Sequence, residues 1–440
     1  MCGIWVSLGF PPDRSRLDAV AHRGPDGEGW RVFATRHGPL VFGHRRLAVL
    51  DTSDAAAQPM AYADGRYWLV HNGEIYNFVE LRAALEDHGH RFATASDSEV
   101  LLAAYAEWGA GCLERLVGMF AFAVWDSRGQ TLFAARDRFG IKPLYVLTTG
   151  RGVALASEIK QFLGLPGFTA RMNAAAVQAY LAAGRSDHGA ETMFAGVLQL
   201  RGGQALSLDL DRWRPGEPLP IFDWYRLPPP GSARLDEAAA AERFAALFEE
   251  AVQLHLRADV PVGACLSGGL DSSAVVCTVR RLRADGAPAL ATVSACFPGT
   301  AVDERPFMEA VLAETAAVPH YVHPRPEDVL ELAERITRHQ DEPFGGTSVI
   351  AQWRVFETAS AAGLKVLLDG QGADEQLAGY HYAFGPHLAG LLRRGRVDAV
   401  AAGLAQRRAL HRAPLVRQIV QILSALLPGP RAAARRGGEP

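Results

Sequence analysis

Near its midpoint the chain changes the rule by which it spaces apolar residues, and one core does not accommodate both rules. Before Arg212, short apolar and β-branched runs such as Pro39–Leu50, Tyr67–Asn72 and Met119–Asp126 are bounded by Gly, Asp and Asn, as strands are. Two segments there, Phe78–His88 and Glu99–Trp108, carry apolar residues at helical spacing. The second half reads differently. Asp236–Leu256 and Ser272–Arg283 read as helices, while Val260–Leu266, Leu290–Phe297 and Lys365–Asp369 are unbroken apolar runs, the mark of a parallel sheet covered on both faces. Polar Arg212–Gly216 and the stiff Leu227-Pro228-Pro229-Pro230-Gly231 stretch separate the two styles. A chain of 440 residues has room for two or three cores. The expected layout is an α+β domain over 2–212 with two helices, a linker over 213–235, and an α/β parallel-sheet domain over 236–440 whose last stretch, Pro428–Pro440, is disordered.

Charge and cysteine usage narrow the functional classes. A net charge of −3 points to neither nucleic acid nor an anionic membrane. Five scattered cysteines (2, 112, 265, 277 and 296) without a C-x-x-C fit a reducing cytoplasm rather than a disulfide framework or a zinc site. No basic-then-apolar leader is visible, and Leu415–Leu427 is interrupted by Arg417, Gln418 and Gln421, too short and polar for a bilayer span. Lysine is nearly absent: Lys142, Lys160 and Lys365 are the only three among 45 basic residues.

The chain opens Met1-Cys2-Gly3-Ile4. Removing Met1 places a thiol and a free α-amine on residue 2, a nucleophile beside its own base. A thiol amidohydrolase also needs oxyanion donors and anchors for its substrate's charged ends. His71-Asn72-Gly73-Glu74 offers an amide N–H₂ beside a Gly N–H, although Asn-Gly is equally a hairpin-turn signal. Arg46, read as starting a strand, can fork onto a carboxylate or simply be solvated. Asp97 can cap the helix it opens, as can Ser98, or can meet an ammonium.

Together with His22-Arg23-Gly24-Pro25-Asp26-Gly27, Gly118–Ala123 and the run from Arg136 to Tyr145, these segments resemble, in order, the class II glutamine amidotransferase domain. The resemblance implies an N-terminal-nucleophile αββα sandwich that hydrolyses glutamine. It makes Cys2 the nucleophile and Asn72 with the Gly73 N–H the oxyanion hole. Arg46 would take the α-carboxylate, Glu74 and Asp97 the α-ammonium, and the backbone of Leu47, Ala48, Val49 and Leu50 would line the site.

The second half carries Leu266-Ser267-Gly268-Gly269-Leu270-Asp271-Ser272-Ser273 between a strand and a helix, where Gly N–H groups, hydroxyls and a helix start can cradle phosphate and Asp271 can hold Mg²⁺. No Gly-Lys-Ser/Thr follows, so this is not a Walker loop. It resembles the pyrophosphatase-type loop of adenylating enzymes. A second loop, Asp369-Gly370-Gln371-Gly372-Ala373-Asp374, follows another strand, and in open α/β sheets ligands bind at that edge. With Arg257–Gly263 and Asp341-Glu342-Pro343, residues 240–385 resemble the synthetase domain of asparagine synthetase B, an adenine-nucleotide alpha-hydrolase-like fold. The resemblance implies ATP and Mg²⁺, with aspartate or another carboxylate adenylated and then aminated by ammonia arriving through a channel. It places Leu266, Ser267, Gly268, Gly269, Asp271, Ser272, Ala295, Asp369 and Gly370 at ATP, Gln371 at the acyl-adenylate, and Asp271 and Asp374 at the metal.

Two departures stand out. The synthetases proper usually read S-G-E-G where this chain has Asp369-Gly370-Gln371-Gly372, so another acceptor carboxylate is an alternative to aspartate. The family also continues into a lysine-bearing helical region and an R-V-P-F-L-D segment, neither found after Lys365. The reading therefore expects a C-terminally shortened synthetase half. It allows a homodimer and a separate polypeptide supplying that segment, and keeps a glutaminase with an inert second half as its alternative. The apolar stripe Leu415, Ile419, Ile422, Leu423 and Leu426 is expected to lack a packing partner.

Overall fold

A computed structural model describes residues 1–229, 231, 235–283 and 286–427, so the expected disorder of Pro428–Pro440 lies outside the described residues. Contacts divide the chain into two units, Met1–Leu368 and Asp369–Pro440.

The first unit begins with β1 (Gly3–Leu8), β2 (Gly27–Thr35), β3 (Gly38–Arg46), β4 (Met60–Tyr62), β5 (Tyr67–Ile75), β6 (Gly118–Asp126), β7 (Thr131–Arg136), β8 (Tyr145–Thr149), β9 (Gly152–Ala156), β10 (Val197–Gln199), β11 (Gln204–Asp209) and β12 (Ile221–Asp223). They form two antiparallel six-stranded sheets, ordered β10-β8-β9-β1-β3-β2 and β12-β11-β7-β6-β5-β4.

Period-two alternation feeds three apolar layers at once. Ile4, Val6 and Leu8 of β1 and Ala121, Ala123 and Trp125 of β6 fill the space between the sheets. Phe120, Phe122 and Val124 point the other way, under helices Phe78–Asp87 and Asp97–Trp108. Trp5 and Val41 pack outward against Leu17, Ile159 and Phe162. The result is the αββα sandwich expected from the family motifs.

A further helix, Ala174–Ala183, corrects the expectation of two helices in this half. Its Ala-dominated sequence buries only Ala176 and has no apolar stripe to betray it, and the Asn173 side chain caps it by accepting the Ala176 N–H.

The same unit continues into a parallel sheet, β13 (Val262–Cys265), β14 (Ala291–Ala295), β15 (Val318–Val322) and β16 (Val366–Leu368), ordered β15-β14-β13-β16. Every pairing is parallel, as the unbroken apolar runs require. Helices Glu237–His255, Leu270–Leu282, Arg305–Thr315 and Ser348–Ala361 are among those that join or cover the strands.

The unit Asp369–Pro440 holds helices Phe384–Arg393, Val397–His411 and Leu415–Leu426 around Leu388, Ala389, Val400 and Ile422. The expected stripe on the last helix is split. Ile422 and Leu426 pack inward, while Leu415, Ile419 and Leu423 are about half exposed. Gln418 takes a buried place on the inner face by donating to the Ala413 carbonyl.

Candidate active site

Cys2 sits immediately before β1, and the β1–β3 register (Gly3 opposite Arg45) sets it against the chain leaving β3. The Leu47 N–H donates to Cys2 Sγ at 3.4 Å, and the thiol faces the Leu47 carbonyl at 3.7 Å. Arg23 Nε donates to the Cys2 carbonyl at 2.8 Å, while Arg23 Nη1 pairs with Glu158 at 3.0 Å. Burial pushes the Cys2 thiol up from its ordinary value.

Asn72 and Gly73 lie within β5, paired with Ala121 and Phe120 of β6, so the pair makes no hairpin turn. Strand pairing is close here: a Cβ on Gly73 would collide with the Met119 carbonyl oxygen and lie 2.7 Å from Phe120 Cα. Asn72 is fully buried, and neither its Nδ2 nor its Oδ1 has a hydrogen-bond partner among the described residues. Leaving a buried amide unpaired costs about 1–3 kcal/mol, a cost that suits a donor set aside for substrate.

Arg46 ends β3 rather than starting a strand, which corrects the sequence reading. Beyond it the backbone turns away from sheet pairing, since Leu47 N–H is on Cys2 and Ala48 N–H donates to Asp26 Oδ2 at 2.8 Å. The Arg46 guanidinium donates to the carbonyls of Asp51 and Ser53.

Helix Asp97–Trp108 is capped by Ser96, whose hydroxyl accepts the Ser98 N–H at 3.1 Å, so neither Asp97 nor Ser98 is the cap. Asp97 is thereby free of capping and accepts the Ile75 N–H at 2.9 Å. Burial pushes Asp97 up to about 6, and burial together with the Asp97 charge raises Glu74.

A cavity of about 830 Å³ joins these groups. Cys2, Arg46, Leu47, Val49, Leu50, Asn72, Gly73, Glu74 and Asp97 all line it, while Ala48 does not. Sequence reading missed several of its walls. Lys142 and Met119 belong to segments recognised only as family motifs. The scarcity of lysine was the available signal, because all three lysines lie at this cavity or at the contact between the two halves.

The opposite wall comes from the parallel-sheet half: Phe356, Ala359 and Ser360 of helix Ser348–Ala361, with Leu364, Lys365 and Leu367 in and before β16. The halves are bonded around it. Lys365 Nζ meets Asp26 Oδ2 at 2.8 Å and Lys160 Nζ meets Asp341 Oδ1 at 3.1 Å. Arg257 forks onto Glu80 at 2.5 and 2.7 Å. Asp259 accepts the Asp51 N–H, and Glu342 accepts the Met193 N–H. The segments Arg257–Gly263 and Asp341-Glu342-Pro343 thus hold the two halves together.

In the first loop Gly268 adopts φ +83°, a left-handed conformation that favours glycine. Ser267 and Ser272 hydroxyls are 3.0 Å apart, and helix Leu270–Leu282 starts without a side-chain cap, leaving its first N–H groups for a ligand. The helix begins at Leu270, so Asp271 and Ser272 lie in its first turn. Leu266 is buried and Ala295 ends β14, the strand beside β13. Within the second unit, Asp369 Oδ1 accepts the Gln371 N–H at 3.2 Å, Gly370 precedes it, and Asp374 lies in the short helix Ala373–Leu377. No three His, Cys, Asp or Glu side chains cluster as a metal site among the described residues. None of the described helices is long and apolar enough to cross a membrane.

A family model described as a glutamine amidotransferase domain matches residues 1–216, and one described as asparagine synthase matches residues 243–435. A putative glutamine-hydrolysing asparagine synthetase of Mycobacterium tuberculosis is 36% identical over 407 residues, covering 86% of this chain and 60% of its own. A second from Methanocaldococcus jannaschii is 33% identical over 412 residues, covering 86% of this chain and 76% of its own. Asparagine synthetase 1 of Bacillus subtilis is 33% identical over 368 residues, covering 82% and 54%. The chain therefore spans about 60% of the length of the mycobacterial relative. With its Cys2 cavity, its αββα sandwich and its parallel-sheet half, the chain belongs to the glutamine-hydrolysing asparagine synthetase family.

Proposed function

We propose that the chain hydrolyses glutamine at Cys2 and delivers the ammonia to a carboxylate activated by ATP, with aspartate as the acceptor. The observation that carries this reading is the orphaned Asn72 amide, buried in the same cavity as Cys2 and closed on its far side by the parallel-sheet half.

With Met1 removed, the thiol proton passes to the α-amine of residue 2 and the thiolate attacks the side-chain amide carbon of glutamine. The carbonyl π pair moves onto oxygen, where Asn72 Nδ2 and the Gly73 N–H stabilise it. Collapse returns that pair, the C–N bond breaks, and the α-ammonium of Cys2 gives its proton to the departing nitrogen. Water then cleaves the thioester to glutamate and free thiol. Arg46 holds the α-carboxylate, Glu74 and Asp97 hold the α-ammonium, and Phe356, Ala359 and Leu364 give uncharged ammonia an apolar way out.

ATP, when bound, activates the acceptor by adenylation and leaves as AMP and pyrophosphate. Gly268, Gly269, Ser267 and Ser272 suit its phosphates, and Asp271 would be the carboxylate holding Mg²⁺, an ion that needs only one or two carboxylates beside phosphate oxygens. Leu266 and Ala295 would meet adenine. By resemblance alone, Asp369, Gly370, Gln371 and Asp374 serve nucleotide, acyl group and metal.

Incubation with glutamine, ATP, Mg²⁺ and aspartate is expected to release pyrophosphate and asparagine with glutamate. Pyrophosphate released with a different carboxylate only would move the acceptor, and glutamate without any pyrophosphate would reduce the chain to a glutaminase.

The raised carboxylates set a pH dependence. Asp97, held at about 6, loses its charge as pH falls through that value, and Glu74, also raised, goes with it or before it. The KM for glutamine is expected to climb as pH drops from about 7.5 to 5.5. A flat KM over that range would separate both residues from the α-ammonium.

A further inference from the structure

We propose that Lys142 is an electrostatic positioning residue for glutamine hydrolysis: its ammonium, standing in the cavity wall with Cys2, favours the thiolate and the negative charge that the thiolate passes to the substrate oxygen. The proposal deepens the glutaminase reading above and rests on it.

Three observations support it. First, Lys142 is 6% exposed, and among the described residues its Nζ makes neither a hydrogen bond nor an ion pair, although Nζ itself is not fully sealed from the cavity. A buried ammonium is costly unless something repays it, and paired partners are the rule. Second, its backbone position is over-determined. Its N–H donates to Asp137 Oδ2 at 3.0 Å and its carbonyl accepts Arg136 Nε at 2.6 Å. Asp137 is already satisfied by the N–H groups of Phe120, Phe139 and Ile141 as well, so it does not call for the Lys142 charge. Third, the side chain lines the same cavity as Cys2, Asn72 and Glu74.

Other charged groups surround it, and Arg23, which keeps one buried guanidinium nitrogen without a partner, also favours the thiolate. Arg23 is engaged by Glu158, and His71 is pushed down to about 3 by burial, hence neutral at pH 7. From the parallel-sheet half, Lys365 is spent on Asp26. Arg46 is turned to the Asp51 and Ser53 carbonyls. The groups without an ion-pair partner among the described residues are Cys2, Glu74, Asp97 and the amino terminus, Cys2 and Asp97 being held by the backbone N–H groups of Leu47 and Ile75. Burial lowers Lys142, and Glu74 pulls it back up. A chain with three lysines among 45 basic residues keeps one here, a compact ammonium rather than a planar guanidinium.

The test reads Cys2 without glutamine. The pH dependence of Cys2 alkylation by iodoacetamide is followed by peptide mass spectrometry in the full chain, with Met1 removal confirmed by mass. Lys142→Met is expected to shift the alkylation limb up by about one pH unit, as loss of a nearby opposite charge does, and to lower glutaminase kcat. Lys142→Arg is expected to keep the limb near its wild-type position while lowering kcat, because it keeps charge and loses shape. Lys142→Gln repeats the neutral test should the Met variant melt early, and the Arg variant reads the same question if neither neutral variant folds.

An unshifted limb in the neutral variants overturns the proposal. So does a limb in Lys142→Arg displaced as far as in Lys142→Met. A change confined to the KM for glutamine also overturns it, by making Lys142 a counter-ion of Glu74. Wild-type chain that releases no glutamate from glutamine refutes the glutaminase reading instead, and the alkylation limb still decides the Lys142 effect on the thiol.

Discussion

Cys2→Ala is expected to reduce glutamate release and glutamine-dependent amide formation to background while ammonia-dependent synthesis continues. The sulfur is the atom that would bond to the substrate carbon, and no other thiol lines the cavity: Cys112 and Cys296 are buried elsewhere, and Cys265 and Cys277 belong to the parallel-sheet half. The substitution should spare the fold. Sγ bonds only the backbone of Leu47, and losing a half-buried thiol costs about 1 kcal/mol or less. Retention of Met1 should act in the same direction, since it converts the α-amine of residue 2 into an amide that no longer accepts the thiol proton. The measurement is paired: glutamate release from glutamine, and product formation with ammonium salts at a pH where free ammonia is present. Glutamine hydrolysis persisting in Cys2→Ala within tenfold of wild type would remove Cys2 from the reaction.

Asn72→Ala carries the second largest effect, and its signature is a split between activity and stability. One oxyanion donor lost costs typically 10²–10³ in kcat, about 2.7–4 kcal/mol of transition-state stabilisation, and because the bond strengthens as charge develops, KM for glutamine should move little. The fold should respond in the opposite sense. Both polar atoms of the Asn72 amide are buried without partners, so an alanine removes an uncompensated desolvation cost and leaves the β5–β6 pairing in place. An unchanged or raised melting temperature with kcat down at least a hundredfold is the expected result. A variant that loses stability in proportion to activity would make Asn72 a structural residue, and a fall in kcat of less than about threefold would take it out of the oxyanion hole.

Much of the fold was legible because its signals are local. Short apolar and β-branched runs bounded by Gly, Asp and Asn marked β3, β5 and β6, and unbroken apolar runs marked β13, β14 and β16 as members of a parallel sheet. Ambiguities and errors fell where a local signal has two meanings or is weak. Asn72-Gly73 carries a turn signature but sits inside a strand, because the approach of Met119 and Phe120 demands a residue without Cβ, and turn chemistry supplies glycine just as well. Pro39–Leu50 looked like one run, yet β3 stops at Arg46, because Cys2 and Asp26 take the backbone N–H groups that follow. Ala174–Ala183 was missed because a helix that buries almost nothing needs no stripe.

Legible along the chain alone were an opening Cys2, the ordered segments holding Arg46, Asn72, Glu74 and Asp97, and a serine- and glycine-rich loop at Ser267–Ser273. These are readable because nucleophile, donor and phosphate cradle each need particular residue types at short spacing. What surrounds Cys2 follows from the packing of the folded chain. Lys142, separated from it in sequence by β1 to β7, and Phe356 and Leu364, from the other half of the chain, reach one cavity because antiparallel register and interdomain pairs such as Lys365–Asp26 and Arg257–Glu80 bring distant segments together. Burial, and with it the raised carboxylates and the unpaired amide of Asn72, is a property of that packing, and no spacing along the chain encodes it.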